Sequence, residues 1–382
     1  MKPFRYIVPT EVVFGPGTVG SLGPYVQAIG KRPLVVTGRH SARASGGLDR
    51  VLAQTPEAVV FDDVDENPTT DTCARGLDVC RTHQCDVVLA LGGGSAMDAA
   101  KAIAVLARNE GPCADLFGVD TFTDNLPVIA IPTTAGTGSE VTPYAVIVDG
   151  VRRVKRTISG RGLFPVVAIL DPELTLTMPR TVTVNTGLDA LSQAMEGMIS
   201  LRSTPLGDIV ALETCRLVKT WLPRAAANPS DLDARSHMLF AAMLSGCVIA
   251  QSGTTLVHGM GYYFTLEFGV AHGLANALLL APLFQYSAQH APQKVAAIAA
   301  ALGYPEGSGE HIGLALHALL RELDISPAAK DAGVDFARLS EFAEDIFADR
   351  SRFKNQPGSP SLEEVRGFFE SAYHGRVLGA CA

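Results

Sequence analysis

The sequence lacks the cysteine spacing of a disulfide framework or of a zinc ribbon. Its seven cysteines are odd in number and scattered, and no CxxC pair is present, so we expect reduced thiols. Long hydrophobic runs are also missing: the longest, near residues 275–284, is too short to cross a bilayer, and the N-terminus has no apolar core of signal-peptide length. These absences predict a cytoplasmic protein that does not bind a membrane.

Positive charge is scarce as well. The chain has 31 lysines and arginines against 39 aspartates and glutamates, and its net charge of −8 repels polyphosphate. Because no long basic face offsets this charge, we do not expect a nucleic-acid partner. With 47% hydrophobic and 18% charged residues, the chain of 382 residues is too apolar to be disordered and is long enough for two domains.

The two halves of the sequence have different hydrophobic patterns. Between about residues 30 and 180, β-branched runs alternate with helical patterns, which is typical of a parallel sheet covered by helices; the runs are PLVVTG, AVVFDDV, DVVLALGGG, PVIAIPTTAG and VVAILDP. After Pro179, apolar residues recur at helical spacing, as in residues 210–221 and 236–250. We predict a Rossmann-like α/β domain over residues 1–180 and an all-helical domain over residues 181–382.

The one formal GxGxxG motif, at Gly15, Gly17 and Gly20, follows the strand-like run TEVVF. A dinucleotide site of this type needs a second strand with an acidic residue about twenty positions further on. Here that strand, PLVVTG, ends in Gly38. We therefore interpret the motif as a turn after an N-terminal strand.

Two other glycine-rich loops have the features of a phosphate site. In DVVLALGGGSAMDAAKAIA, a buried-strand pattern leads into three glycines that let the backbone approach an anion, and Ser95 is placed to cap the following helix. In PVIAIPTTAGTGSE, hydroxyl side chains lie beside two glycines after the next strand. Ligands of an open sheet bind at the carboxyl ends of its strands, so the two loops predict one long ligand. A serine hydrolase is disfavoured because GTGSE lacks the GxSxG elbow.

With both loops present, the chain resembles the iron-containing (group III) alcohol dehydrogenases almost from end to end. The shared motifs are FGPG, GGGSAMDAAK, PTTAGTGSE, the stretch from Lys155 to DPEL, TGLDAL, and VHG followed by AHGLANALLL. The resemblance implies a dehydroquinate synthase-like two-domain architecture, with a dinucleotide-binding α/β domain, a helical domain and an active site in the cleft between them. It also implies hydride transfer between a nicotinamide dinucleotide and a small alcohol or aldehyde, in a homodimer that pairs through YIVPTEVVF.

The same resemblance assigns cofactor residues. They lie in the two loops, with Asp98 and Lys155 as further candidates: Gly93, Gly94, Ser95, Thr133, Thr134 and Thr137. Relatives that prefer NAD commonly have an Asp at the position of Gly38, where it bonds the adenosine ribose. Arg39 and Ser41 could instead bind a 2'-phosphate, so NADP is supported as well as NAD. In the alternative, Arg39 points into solvent and the enzyme accepts either cofactor.

The resemblance also implies a divalent metal, Fe or Zn, held by an Asp and a His one helical turn apart and by two later histidines. The matching residues here are Asp189, Gln193, His258 and His272. The i, i+4 spacing keeps the first two on one helix face. Because a glutamine carbonyl is a weaker donor to these metals than an imidazole nitrogen, we expect a lowered metal affinity.

Position 262 is a second departure, since many relatives have a His there that helps relay a proton. Tyr262 either donates a proton to the developing alkoxide or forms an aromatic wall of the substrate pocket. Three states of the site stay open: a weakened but occupied metal site, a metal-free reductase of an oxo acid, and an inactive chain. In the metal-free state, similar to the maleylacetate reductases, His258, Tyr262 or His272 polarises the carbonyl. A non-redox protein that binds a dinucleotide or a sugar phosphate is the alternative from another class.

Overall fold

The computed structural model describes residues 3–119, 122, 124–152, 154–305 and 308–377. The chain divides into two compact units. The first, here called the sheet unit, comprises Ile7–Pro179 and Pro229–Gly246; the second, the helical unit, comprises Met1–Tyr6, Arg180–Asn228 and Cys247–Ala382. The functional domain boundary at residue 180 stays a prediction.

The sheet unit is built on six parallel strands. In chain order they are β1 (Glu11–Phe14), β2 (Pro33–Gly38), β3 (Val59–Val64), β4 (Val87–Gly92), β5 (Val128–Pro132) and, after a separate antiparallel hairpin of β6 (Tyr144–Asp149) and β7 (Val154–Ser159), β8 (Val167–Leu170). In space the order is β1-β8-β5-β4-β2-β3. The predicted parallel sheet is confirmed, whereas the hairpin was not predicted.

Helices of the sheet unit cover the strands. They are α1 (Leu22–Ile29), α2 (Ser41–Ala44), α3 (Gly47–Gln54), α4 (Thr70–Thr82) and α5 (Gly94–Leu106). One hydrophobic cluster joins Leu22 of α1 and Leu48 of α3 to Leu89 of β4. Every residue of β4 is buried, as expected for a central strand with both faces covered.

The strand order creates a crevice between β2 and β4. Without β1, the order β3-β2-β4-β5-β8 is the doubly wound order 2-1-3-4-5, in which ligands bind where the chain connections diverge, between the first and third strands. Gly38 ends β2 and Gly92 ends β4. Two of the segments predicted to bind the cofactor therefore begin at this crevice.

The helical half of the chain contains long, largely buried helices. They are α6 (Arg180–Ile199), α7 (Pro205–Ala227), α8 (Leu232–Ser252), α9 (Leu256–Phe268), α10 (His272–Ser287), α11 (Pro292–Ala301), α12 (Gly309–Glu322), α13 (Leu339–Ala348) and α14 (Leu362–His374). The predicted helical segments 210–221 and 236–250 lie in α7 and α8, which confirms them. The first part of α8 belongs to the sheet unit.

Two findings on the described residues concern the thiols and membrane spans. The six cysteines in these ranges are free, and Cys381 lies outside the described residues. None of the described helices alone has the length and hydropathy of a membrane span; α8 and α9 reach that threshold only when taken together as a bent pair.

The turn at Gly15–Gly20 is bound by a carboxylate of the protein itself. Gly17 N and Val19 N donate to the two oxygens of Asp171 at 3.1 and 3.2 Å. The turn follows β1, at an edge of the sheet and away from the crevice. A phosphate bound here would need the N–H groups that Asp171 already occupies. This supports the interpretation of the motif as a turn.

Gly138, in the loop after β5, lies where a side chain is excluded for two reasons. Its φ is 61°, and a Cβ there would lie 2.4 Å from Gly246 Cα and 2.6 Å from Ala242 O. We expect Gly138→Ala to lower the free energy of unfolding by roughly 3 kcal/mol through backbone strain and overpacking. Urea denaturation followed by circular dichroism measures this loss.

Gly17→Ala is the matched control. Gly17 also has a left-handed φ, of 77°, but among the described residues no atom other than those of Gly17 and its two chain neighbours lies within 4 Å of its Cβ position. Gly17→Ala should lower the free energy of unfolding by only about 1 kcal/mol, because backbone strain is its only cost. Equal losses in the two variants would contradict the close packing of Gly138 against α8.

Candidate active site

The two glycine-rich loops meet at the carboxyl edge of the sheet. A Cβ on Gly93 would lie 3.1 Å from Thr134 Oγ1, and a Cβ on Gly94 would lie 2.8 Å from Thr137 Cγ2. Thr133 N donates to the carbonyl of the last residue of β4 at 3.0 Å. The absence of side chains at positions 93 and 94 thus lets the threonines of the second loop contact the start of α5.

The prediction that Ser95 caps α5 is wrong. The N-cap residue is Gly93, and Ser95 lies in the first turn, where its Oγ accepts a hydrogen bond from Asn67 N at 3.3 Å. No side chain in the described part of the chain caps this helix. Because uncapped N–H groups at a helix start favour an anion, the start of α5 keeps the chemistry of a pyrophosphate site.

Lys101 fastens the second loop to α5, and the sequence reasoning missed it. Its side chain is 1% exposed, and its ammonium donates to the carbonyl oxygens of Ser139, Thr142 and Tyr144 at 2.6, 2.9 and 2.9 Å. Burial is the main cause that lowers the pKa of Lys101 to about 8. A lysine in an otherwise apolar stretch of α5 was the available signal.

Asp98 and Lys155, two predicted cofactor residues, lie on α5 and β7 respectively. Asp98 accepts hydrogen bonds from Ser139 Oγ at 2.9 Å and from Val146 N at 3.0 Å. Burial, the largest effect, raises the pKa of Asp98, although the charges of Lys101 and Lys155 oppose it. In this structure Asp98 therefore ties α5 to the second loop and to the hairpin.

Gly38, Arg39 and Ser41 lie at the end of β2, beside the crevice. The Arg39 side chain is 51% exposed; it pairs with Asp63, and its Nε lies 3.6 Å from Asp65 Oδ1. Ser41 is the first residue of the short helix α2. Arg39 thus already has two carboxylate partners of the protein.

Asp189, His258 and His272 come together in the helical unit, from α6, α9 and α10. Asp189 Oδ1 lies 3.5 Å from His258 Nε2 and 3.8 Å from His272 Nε2, and the ligand atoms of the three residues lie within 4.8 Å of one another. Two donors bound to one ion at about 2.1 Å are roughly 3–4 Å apart. The three residues therefore fit a divalent metal.

The start of α10 approaches α6 because residue 273 has no side chain. A Cβ on Gly273 would lie 1.8 Å from the carbonyl oxygen of Asn185. Asn276, one turn later, donates to Asp189 Oδ1 at 3.4 Å. This close contact of two helices brings His272 next to Asp189.

Glu196 orients His258 and was also missed by the sequence reasoning. It is completely buried; one oxygen accepts from Thr255 N at 2.9 Å and Thr255 Oγ1 at 2.8 Å, and the other pairs with His258 Nδ1. This directs Nε2 of the ring toward Asp189, an arrangement usual for metal-binding histidines. The sequence feature that could have revealed Glu196 is the spacing of residues 189, 193 and 196, which places them along one face of α6.

The charged groups of this cluster shift one another's pKa values. Burial is the largest effect on His258 and disfavours its protonated ring, but Glu196 and Asp189 together raise its pKa to about 10. For Asp189, burial favours the neutral acid, yet His258, His272 and Asn276 hold its pKa below the ordinary value. A buried, ionised carboxylate that faces two imidazoles attracts a cation.

Gln193 and Tyr262 belong to the same cluster. The amide nitrogen of Gln193 donates to Asp189 Oδ2 at 2.9 Å. Tyr262 stacks on His272, with ring centroids 5.3 Å apart and ring planes at 21°. The structure thus brings all predicted metal-binding and catalytic residues to one place.

Comparison with known proteins identifies the family. The model of iron-containing alcohol dehydrogenases matches residues 9–172, and the C-terminal model of the Fe-containing alcohol dehydrogenase family matches residues 183–373. The chain belongs to the iron-containing alcohol dehydrogenase family. The 1,3-propanediol dehydrogenase of Citrobacter freundii is 34% identical, with 97% of this chain and 99% of that protein covered. The NAD-dependent methanol dehydrogenase of Bacillus methanolicus is 32% identical, with 96% and 99% covered.

A solved structure of the family agrees. The crystal structure of a 1,3-propanediol oxidoreductase superposes with a TM-score of 0.92 at 32% identity, over 97% of this chain and 100% of the other. The predicted family, fold class and enzyme class are confirmed. This member of the iron-containing alcohol dehydrogenases is an oxidoreductase of small alcohols and aldehydes, and its family implies NAD and a metal.

Glu140, in the second loop, should make stability depend on pH. Its side chain is 2% exposed, its Oε1 has no hydrogen-bond partner among the described residues, and burial raises its pKa from 4.5 to about 7. Between these values the folded protein keeps a proton that the unfolded chain has lost, so stability falls as pH rises through this window. Glu140→Gln should match the unsubstituted protein near pH 4.5 and exceed its free energy of unfolding by roughly 2–3 kcal/mol at pH 8.

Denaturation at a series of pH values measures this difference. Glu213→Gln is the control, because the Glu213 side chain is 50% exposed and its substitution should not raise the free energy of unfolding at pH 8. Parallel profiles for Glu140→Gln and the unsubstituted protein would show that Glu140 is not buried as a neutral acid.

Proposed function

We propose that this dehydrogenase oxidises small alcohols, and reduces the corresponding aldehydes, with a divalent metal bound by Asp189, His258 and His272. The supporting observation is the convergence of three ligand atoms within 4.8 Å, two of them imidazole nitrogens facing a buried carboxylate. A bound metal polarises the substrate oxygen and stabilises alkoxide charge during hydride transfer. Imidazole and carboxylate donors suit both iron and zinc.

The protein positions each of these donors. Glu196 holds Nδ1 of His258, which leaves Nε2 toward Asp189. Gln193 is proposed as a fourth ligand through its carbonyl oxygen, while its amide nitrogen keeps the Asp189 carboxylate in place. A neutral amide adds no charge to the site, so affinity depends mainly on the other three residues.

Tyr262 is proposed as the proton donor to the alkoxide in aldehyde reduction. Its ring stacks on His272, so its position is tied to a metal ligand. A nearby cation lowers the pKa of a phenol and makes it a better acid. His258 and His272 are the other catalytic residues, because they would hold the metal that polarises the substrate oxygen.

The dinucleotide is proposed to bind along the two glycine-rich loops of residues 1–180, and the metal and substrate to bind residues 181–382. Support comes from the uncapped start of α5 and from the contact between the loops. Pyrophosphate binds at Gly93, Gly94 and Ser95. The remaining cofactor residues lie along the second loop, the hairpin and the end of β2: Thr133, Thr134, Thr137, Asp98, Lys155, Gly38 and Arg39. Both NAD and NADP are compatible with this set of cofactor residues.

A homodimer is proposed to form through β1. This strand lies at one edge of the sheet, and its Val12 and Phe14 are 37% and 40% exposed. An edge strand with exposed apolar residues is a template for pairing with a second chain. The free thiols support a cytoplasmic location, where reducing conditions keep them reduced.

Oxidation of NADH and NADPH on a panel of aldehydes, with and without a chelator, tests the function together with the metal. We expect turnover that the chelator abolishes and that added Fe²⁺ or Zn²⁺ restores, alongside metal in elemental analysis. Turnover that resists the chelator would contradict the proposed metal dependence. It would support the metal-free reduction of an oxo acid, an alternative that is favoured by the presence of Gln193 in place of a His ligand. No turnover with any aldehyde would contradict both.

Gln193→His should raise metal affinity by about tenfold or more, because imidazole replaces a weaker neutral donor. Competition with a fluorescent chelator measures the affinity independently of activity. Gln289→His, which adds a histidine at an exposed position of the same unit, is the control and should change nothing. An affinity unchanged in Gln193→His would contradict the ligand assignment.

A further inference from the structure

The choice between NAD and NADP depends on the groups beside the adenosine ribose, where NADP has a phosphate and NAD a hydroxyl. This inference rests on the proposed binding of the dinucleotide at the start of α5. The strand next to β4 at the crevice is β2, and Thr37 lies opposite Leu91. At the end of β2 the chain has Gly38, so β2 itself supplies no carboxylate there.

Carboxylates reach this position from the next strand instead. β3 pairs with β2, with Gly38 opposite Val64. Asp63 is the residue before Val64, and Asp65 directly follows the strand. Both contact the residue after Gly38: Asp63 Oδ1 accepts a hydrogen bond from Arg39, and Asp65 Oδ1 lies 3.6 Å from Arg39 Nε.

Arg75, on α4, holds Asp63 from the other side. Its Nε and Nη2 donate to Asp63 Oδ2 at 2.9 and 2.7 Å. The bond to Arg75 is the main cause that holds the pKa of Asp63 below its ordinary value. The side chains stay accessible to a ligand, since Asp63 is 35% and Arg39 51% exposed. With Asp65 included, two arginines and two aspartates leave this group without net charge.

We propose that Asp63 determines cofactor specificity: it accepts a hydrogen bond from the adenosine ribose of NAD and, together with Asp65, engages Arg39, so that the group has no net positive charge to attract the 2'-phosphate of NADP. An ionised carboxylate has about four acceptor sites, and the hydrogen bonds from Arg39 and Arg75 leave one for a ribose hydroxyl. A phosphate monoester brings a charge of about −1.5 to −2. Arg39 is already shared between two carboxylates and does not neutralise that charge, so its role is to hold Asp63.

Asp63→Asn tests this assignment. The substitution removes one negative charge and releases Arg39, and we expect the ratio of NADPH to NADH affinity to rise by about tenfold. The unsubstituted protein should bind NADH more tightly than NADPH. Titrations followed by nicotinamide fluorescence give both dissociation constants without turnover. Adding Arg39→Ala to Asp63→Asn should cancel the gain.

Asp62→Asn is the matched control. Asp62 is the neighbouring residue of β3, and it pairs with a different arginine, Arg43, at 2.6 Å. The same loss of charge at this position should leave the affinity ratio within about twofold of the unsubstituted protein.

Three results would overturn the assignment while leaving the proposed function intact: an unchanged ratio in Asp63→Asn, an equal shift in Asp62→Asn, or a preference of the unsubstituted protein for NADPH. In each of these cases the protein still binds a dinucleotide. Failure of the unsubstituted protein to bind either NADH or NADPH would instead overturn the proposed function, and this inference with it.

Discussion

The ionised carboxylate of Asp189 is buried, and the arrangement of the helical unit around it follows from the need to compensate that charge. An unpaired buried charge costs several kcal/mol, so the surroundings must supply positive charge and hydrogen bonds. His258 and His272 face one oxygen, and Gln193 donates to the other. Glu196 in turn fixes His258 and the start of α9. The result is a set of donors that fits a divalent cation.

A different constraint acts on the sheet unit, where the backbone after β4 must allow the close approach of the proposed dinucleotide. Strand order places the ends of β2 and β4 at a crevice, and the residues after β4 have no side chains to obstruct it. Lys101 holds the second loop against α5 through three carbonyl oxygens, so the loop's position is set inside the protein. Rigid loops of this type lose less entropy when a cofactor binds.

The sequence predicted the parallel strands well because they are short and rich in β-branched residues, and because the inner strands β2, β4, β5 and β8 are almost entirely buried. The hairpin of β6 and β7 escaped prediction because burial alternates only in β6, whereas β7 has a single buried residue, Ile158. Ser95 was misplaced because the helix begins at Gly94 and Gly93 takes the cap position. Such boundaries depend on backbone angles that residue types do not determine.

The site was predictable in part. Asp189, Gln193, His258 and His272 were found by resemblance, and their proximity required the packing of three helices. Glu196 and the Asp63 partner of Arg39 were not found, because each depends on which distant residue packs nearby. Local spacing identifies residues on one helix face, but ion pairs across strands and helices require the tertiary fold.

X-ray absorption at the metal edge of the zinc-loaded protein tests the central claim, that Asp189, His258 and His272 hold the metal, most directly. The structure predicts a first shell of two imidazole nitrogens with the remaining donors oxygen. A shell with three imidazoles, a shell that contains sulfur, or the spectrum of the hydrated ion would contradict it.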